Sequence, residues 1–392
     1  MNFFLKLFKD KEKHIIKFLF LVITIIYFYQ INKFVNNNVQ STTSWWFYNY
    51  SQGFIRRGLV GEFLFFFSKF INFNIFHLIK LIHSFLFLFF IYLFFQYIKK
   101  IKYINYYYLL LIFSPIGLMV YVYDPFFIGR PEIFIFITII IYINILENRP
   151  NYYKILLISL LSSISILIHE SYFFYLSYFF FLHIFFKNKN EHQLNFFFIF
   201  IIMPIITMLC IIFFDRLIDV NLMCKNIFEL DYYRKICVDQ MLSGSKIMTI
   251  QEAIRSTKDM VISHNYFSVY LILSLLSLTL FLIFLLSVSS KIKFLLINFL
   301  FILLNFLYSL PLFILAYDWG RWLFIHFMIL IIIFGLHLQK KITTSIVYYK
   351  YRIFFSLFCI IYLTTWSIPH CCSISIGDGF FGVLVKIFYL IL

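Results

Sequence analysis

The sequence predicts an all-α fold, a polytopic transmembrane helix bundle of about eleven spans, and three observations carry that reading. Hydrophobic residues make up 63% of the 392 positions and charged residues only 13%, with a mean hydropathy of +0.92. Soluble domains carry about 25% charged residues. Apolar runs recur along the whole chain at lengths near the roughly 20 residues that a helix needs to cross about 30 Å of hydrocarbon. Basic residues gather in every second short connector between those runs.

The runs fall at 15–35, 76–98, 103–123, 131–147, 154–170, 171–186, 194–214, 266–289, 294–316, 322–339 and 353–369. A last stretch, Phe380 to Leu392, is short for a twelfth span. The first run, from Ile15 to Tyr29, lacks a small-residue cleavage site, so it reads as an anchor and not as a removable leader. Lys and Arg in short loops resist translocation. With the N-terminus cytoplasmic, the basic connectors 1–17, 99–102, 147–154, 187–193, 290–293 and 339–352 all land inside. The net charge of +16 therefore records loop orientation in a multi-pass inner-membrane protein; no nucleic-acid motif accompanies it. The chain forms one integral-membrane domain, 1–392, with a first periplasmic loop at 36–75 and a large one at 215–265.

Arg and Lys distribute differently. Seven of the nine arginines fall on the outer side, whereas sixteen of the lysines fall inside; most acids follow Arg outward. Topology alone does not separate the two cations, and Arg is suited to bidentate recognition of carboxylate or phosphate. The bland reading is that outer arginines hold loops together by pairing with outer acids.

Candidate sites follow in chain order. In the first outer loop Trp45 and Trp46 fit an interfacial aromatic belt. Arg56 and Arg57 then sit among Gly53, Gly58 and Gly61, a pattern that fits an anion cradle or a lipid-phosphate anchor, before an interfacial apolar segment at 63–70. The connector YDPFFIGRPE brings Asp124, Arg130 and Glu132 close together, although Asp-Pro also reads as a helix cap. His169 and Glu170 lie where two short spans meet; burial there would raise the Glu170 pKa and make either residue a proton acceptor near neutrality. Asp318 and Arg321 are framed by Tyr317, Trp319 and Trp322, a setting for sugar rings or simply an interfacial belt. The large loop holds Arg216, Arg234 and Arg255, short amphipathic helices at 225–240 and 247–261, and Cys224 with Cys237, a candidate disulfide. His370, Cys371 and Cys372 make a poor tetrahedral zinc set, since vicinal cysteines rarely share a metal, so no metal and no cofactor are expected. Walker A, GxGxxG, HExxH and GxSxG motifs are all missing.

With GFIRRGLVG at 53–61, Asp124 to Glu132, His169-Glu170 and Asp318 to Arg321, the chain resembles the Wzy-type O-antigen polymerases of bacterial polysaccharide biosynthesis. The likeness is one of topology and composition over the whole chain. It implies a glycosyltransferase that joins undecaprenyl-pyrophosphate-linked repeat units of lipopolysaccharide at the periplasmic face, with a chain-length regulator as a partner. Under it, Arg56, Arg57, Arg130, Arg234, Arg255 and Arg321, with Asp124, Glu132 and Trp319, would bind pyrophosphate and glycan, and Glu170, His169 or Asp318 would serve as base. An O-antigen ligase, or another polyprenyl-linked glycosyltransferase, shares the topology. A lipid-linked oligosaccharide flippase should carry mid-membrane charges, and apart from Lys80 and His83 the span centres have almost none.

Overall fold

The computed structural model describes residues 2–36, 46–101, 106–148, 150–186, 193–215, 219–227, 250–289, 291–339, 361–362 and 364–371, with positions 238 and 379. Helices are the regular elements among them: α1 (Asn2–Asn36), α2 (Gly58–Phe70), α3 (Ile75–Lys99), α4 (Tyr106–Ile112), α5 (Val120–Tyr123), α6 (Ile133–Glu147), α7 (Tyr152–Ile168), α8 (Leu176–Phe186), α9 (Gln193–Phe214), α10 (Val220–Ile227), α11 (Ile250–Ser263), α12 (Tyr266–Val288), α13 (Ile292–Tyr308), α14 (Leu310–Leu315) and α15 (Trp319–Gln339). Short 3-10 segments cover Pro125–Phe127 and Glu170–Tyr175.

Within α1, α3, α9, α12 and α15 lie stretches long and apolar enough to cross a bilayer. Their outward faces fit a transmembrane protein. On α3, Leu81, Phe85, Leu88 and Tyr92 repeat at three- and four-residue spacing and are all exposed; water would penalise such an apolar stripe, while lipid solvates it. Helix α15 is the opposite case. It is apolar on every side and buried almost throughout, the hub against which α4, α6 and α12 pack. Polar side chains fix its register: the Tyr97 hydroxyl donates to the Ile332 carbonyl at 2.6 Å and that of Tyr108 to Ile331 at 3.0 Å.

Two expected spans are broken, each at a proline. In 103–123 the helix ends at Ile112, because Pro115 lacks an N–H and disfavours helical geometry at Ser114. The chain folds back instead, and the Leu118 N–H donates to the Ile112 carbonyl at 2.8 Å. In 294–316 Pro311 begins a separate short helix after a break at Ser309. Two more spans are short. Helix α6 has 15 residues and α7 has 17, about 22 and 25 Å at 1.5 Å per residue. Neither covers a 30 Å core by itself. Segment 63–70, expected along the surface, forms most of α2. The expected helix at 225–240 begins earlier, as α10, and most of that range lies outside the described residues, as do most of 353–369 and of 380–392.

Candidate functional site

The ends of α6, α7, α9 and α15 that carry Glu132, His169, Asp215 and Asp318 meet at one end of the bundle. There the chain brings together residues far apart in sequence. Arg57 forms a two-pronged salt bridge with Glu170: its Nε donates to Oε2 at 2.6 Å and its second nitrogen donates to Oε1. Arg56 spans Glu170 at 3.9 Å and Asp215 at 3.7 Å, and its backbone N–H donates to Asp215 at 2.9 Å. Arg57 holds a left-handed backbone, φ 66°, at the start of α2. That conformation is costly for a residue with a Cβ and persists only where surrounding contacts demand it; here it aims the guanidinium at Glu170.

A second knot lies deeper. Arg321, in the first turn of α15, places Nε 3.0 Å from Glu132 and a terminal nitrogen 3.0 Å from Asp318. The side chains of Arg321 and Glu132 are only 2% and 4% exposed, so this is a fully buried pair. The Arg321 guanidinium also lies 4.2 Å over the Trp322 ring and 3.2 Å from His169 Nε2. Arg321 can only donate, so Nε2 faces it as the acceptor, while Nδ1 lies 2.8 Å from the Ser171 hydroxyl. A third group joins them. Arg130 Nε donates to the Phe126 carbonyl at 3.1 Å, and another of its nitrogens donates to His370 Nε2 at 2.6 Å. The Asp124 carboxylate accepts from Phe126 N–H at 2.9 Å and from His370 N–H at 3.0 Å, capping the short turn and tying segment 366–371 to it.

The electrostatics revise the expected roles. Burial is the largest single influence and pushes the Glu170 carboxyl up, but the charges around it, Arg57 first, together outweigh it, and the group ends well below the usual range. It is therefore a carboxylate at neutrality and not a raised-pKa acid. Burial, then Arg57, keeps His169 neutral, and Arg321 occupies its lone pair, so it cannot act as a base in this arrangement. Burial is the largest influence on Asp318 and raises it, but the charges around it, Arg321 first with Arg130 and Arg57 behind, together outweigh burial and leave it ionised. Burial and the nearby Arg321 both weaken the hold of Arg130 on its proton.

Other expected residues lie elsewhere. Arg255 is exposed on α11, and Arg216 and Arg234 fall outside the described residues. Trp319 packs among Tyr266, Tyr270 and Phe313 and donates its indole N–H to the Phe313 carbonyl at 2.8 Å; it is an aromatic brace. Trp46 is buried, not interfacial, and donates to the Gly129 carbonyl at 2.8 Å. Cys224 is disulfide-bonded; Cys237 lies outside the described residues. Two participants were missed as site residues, Asp215 and His370. Each becomes a partner only through contacts across 159 and 240 residues, for which the sequence has no signal.

Two cavities adjoin the cluster. One, about 590 Å³, is lined by Gly53, Phe54, Cys210, Phe213, Phe214 and Asp215, and so reaches the partner of Arg56. The other, about 350 Å³, is almost wholly apolar and runs from Trp319 down α15 to Leu330, between α12, α13 and α14. Comparisons with protein-family models, with curated proteins and with solved structures found no match.

Proposed function

We propose that this protein is a glycosyltransferase of the bacterial inner membrane that polymerises undecaprenyl-pyrophosphate-linked O-antigen repeat units. In this reading the chain crosses the membrane eleven times with its N-terminus in the cytoplasm, and the Arg–carboxylate cluster faces the periplasm. One observation carries the reading: a recessed cluster of arginines and carboxylates lies beside an apolar cavity that begins at Trp319. An amphiphile with an anionic head and a long hydrocarbon tail matches that pairing. Glu132 and His169 flank the short helices α6 and α7, and at membrane depth irregular backbone of this kind is tolerated only if it is packed in protein or lines an aqueous recess.

The chemistry follows from exchange of partners. Pyrophosphate oxygens compete with Glu170 and Asp215 for Arg57 and Arg56, since guanidinium binds both anions in the same forked geometry. As the sugar C1–O bond to pyrophosphate breaks, the charge on the leaving group is held by those arginines. Glu170, released from Arg57, is already ionised and becomes more basic, so it can take the proton of the acceptor hydroxyl as the new C1–O bond forms. Undecaprenyl pyrophosphate leaves, and the cavity beside Asp215 offers room for the glycan.

The test is a lipopolysaccharide gel of a strain lacking the gene. Core capped by a single repeat unit is the expected result. Bare core would assign the protein to ligation or flipping, and an unchanged ladder would refute the proposal.

A further inference from the structure

Segment 366–371 packs against the first turn of α15, and Gly320 is what admits it: a Cβ there would collide with the Pro369 carbonyl. The Tyr270 hydroxyl donates to the same carbonyl at 3.1 Å, and Asp124 holds the His370 N–H. Anchored at these points, His370 and Cys371 come to rest beside Asp318. One carboxylate oxygen, one imidazole nitrogen and the Cys371 sulfur all lie within 4.8 Å of one another. Cys371 is not in a disulfide.

We propose that Asp318, His370 and Cys371 form a site for a single divalent transition-metal ion, with zinc the best match. The donor set selects the ion. Magnesium and calcium take oxygen ligands, whereas a mixed sulfur, nitrogen and oxygen set suits zinc. Tetrahedral zinc with bonds of about 2.0–2.3 Å spaces its donors roughly 3.4–3.8 Å apart, so the three atoms need close in by only about 1 Å. Three protein ligands leave the fourth position to water or to an anionic oxygen of a bound molecule. On binding, the Cys371 thiol gives its proton to solvent.

Arg130 sets the strength of this site. Its guanidinium donates to His370 Nε2, and its charge opposes a dication. Arg321 likewise holds one oxygen of Asp318. A metal must take the His370 lone pair from Arg130, so the ion and the Arg130–His370 hydrogen bond are alternatives. The site is exchangeable, not a permanent staple. This inference stands apart from the polymerase reading, because it concerns what the three side chains bind and not what is transferred.

The test uses the full chain purified in detergent, stripped with a chelator and titrated with cobalt(II). The expected result is one cobalt per chain with visible d–d absorption and a thiolate-to-cobalt band in the near ultraviolet. Cys371→Ser should remove that band, His370→Gln should weaken binding about 10-fold or more, and Arg130→Gln should tighten it by a similar factor. No cobalt absorption, or a spectrum unchanged in both ligand variants, overturns the proposal. Should those variants fail to fold, the unmutated chain decides: saturating zinc must protect Cys371 from alkylation in peptide mass maps, and full alkylation refutes the site.

Discussion

The buried Arg321 knot makes the sharpest demand on the fold, and Arg321→Met tests it. In the native chain one guanidinium serves two carboxylates at 3.0 Å each. At an effective dielectric constant near 20, each pair attracts by about 5–6 kcal/mol before desolvation is subtracted. Removing the cation leaves Glu132 and Asp318 buried together without their common counter-charge, and breaking a buried pair in this way costs about 3–5 kcal/mol. Against a total stability of about 5–15 kcal/mol that loss is large. Unfolding of the purified protein by denaturing detergent, followed by intrinsic Trp fluorescence, measures it. Adding Glu132→Gln and Asp318→Asn to Arg321→Met should restore part of the loss, since the two carboxylates that lost their counter-charge are then neutral while buried Arg130 remains. The pH dependence gives a second check. Arg321 depresses the folded pKa of Asp318, so its contribution is present above the unfolded carboxyl value and is lost as pH falls through the folded one. In Arg321→Met the largest charge holding Asp318 down is gone, so burial acts against its ionised form and the defect should shrink from pH 8 to pH 5. A single variant within about 0.5 kcal/mol of wild type at pH 8 would show that these ion pairs do not hold the fold.

Arg57→Ala should abolish chain growth on a lipopolysaccharide gel while immunoblots show an unchanged membrane level; a normal ladder would reassign Arg57 to anchoring. Because Arg57 depresses Glu170, the stability contributed by the bridge should stay level through neutrality and fall only below about pH 4, as the carboxylate is protonated and the bridge is lost. A decline already complete at pH 6 would contradict that pairing. Gly61→Ala should cost about 1–3 kcal/mol in the same unfolding assay, since a Cβ there meets the Tyr48 and Trp46 carbonyls and forces the first loop off the bundle. Peptide mapping without reductant should recover Cys224 linked to Cys237. Closing a loop of that size stabilises by roughly 3 kcal/mol, so Cys224→Ser should lower stability measurably; a different partner in the map would sink the assignment.

Helical class and the positions of the apolar runs were legible because they rest on local periodicity. Leu81, Phe85, Leu88 and Tyr92 mark the exposed stripe of α3 whatever it packs against. The prolines at 115 and 311 were equally visible, yet their effect was not, since a proline in an apolar run can kink a helix or end it and only its neighbours decide which. The charged motifs were found as four separate connectors plus a long loop. Arg57 with Glu170, and Arg321 with Glu132, unite them, and no spacing rule links residues more than a hundred positions apart.

By itself, then, the sequence determined an all-helical, lipid-compatible chain with Arg and carboxylates concentrated in the same alternate connectors. Hydropathy and charge act locally and survive in any arrangement of the helices. Tertiary structure decided which charge meets which. It turned Glu170 from a raised-pKa acid into an ionised carboxylate and His169 from a candidate base into a capped, neutral imidazole, and it placed His370 and Cys371 beside Asp318. Those outcomes depend on distances of 3–5 Å between separate segments, and Coulomb energy at that range is set by packing, which composition does not encode.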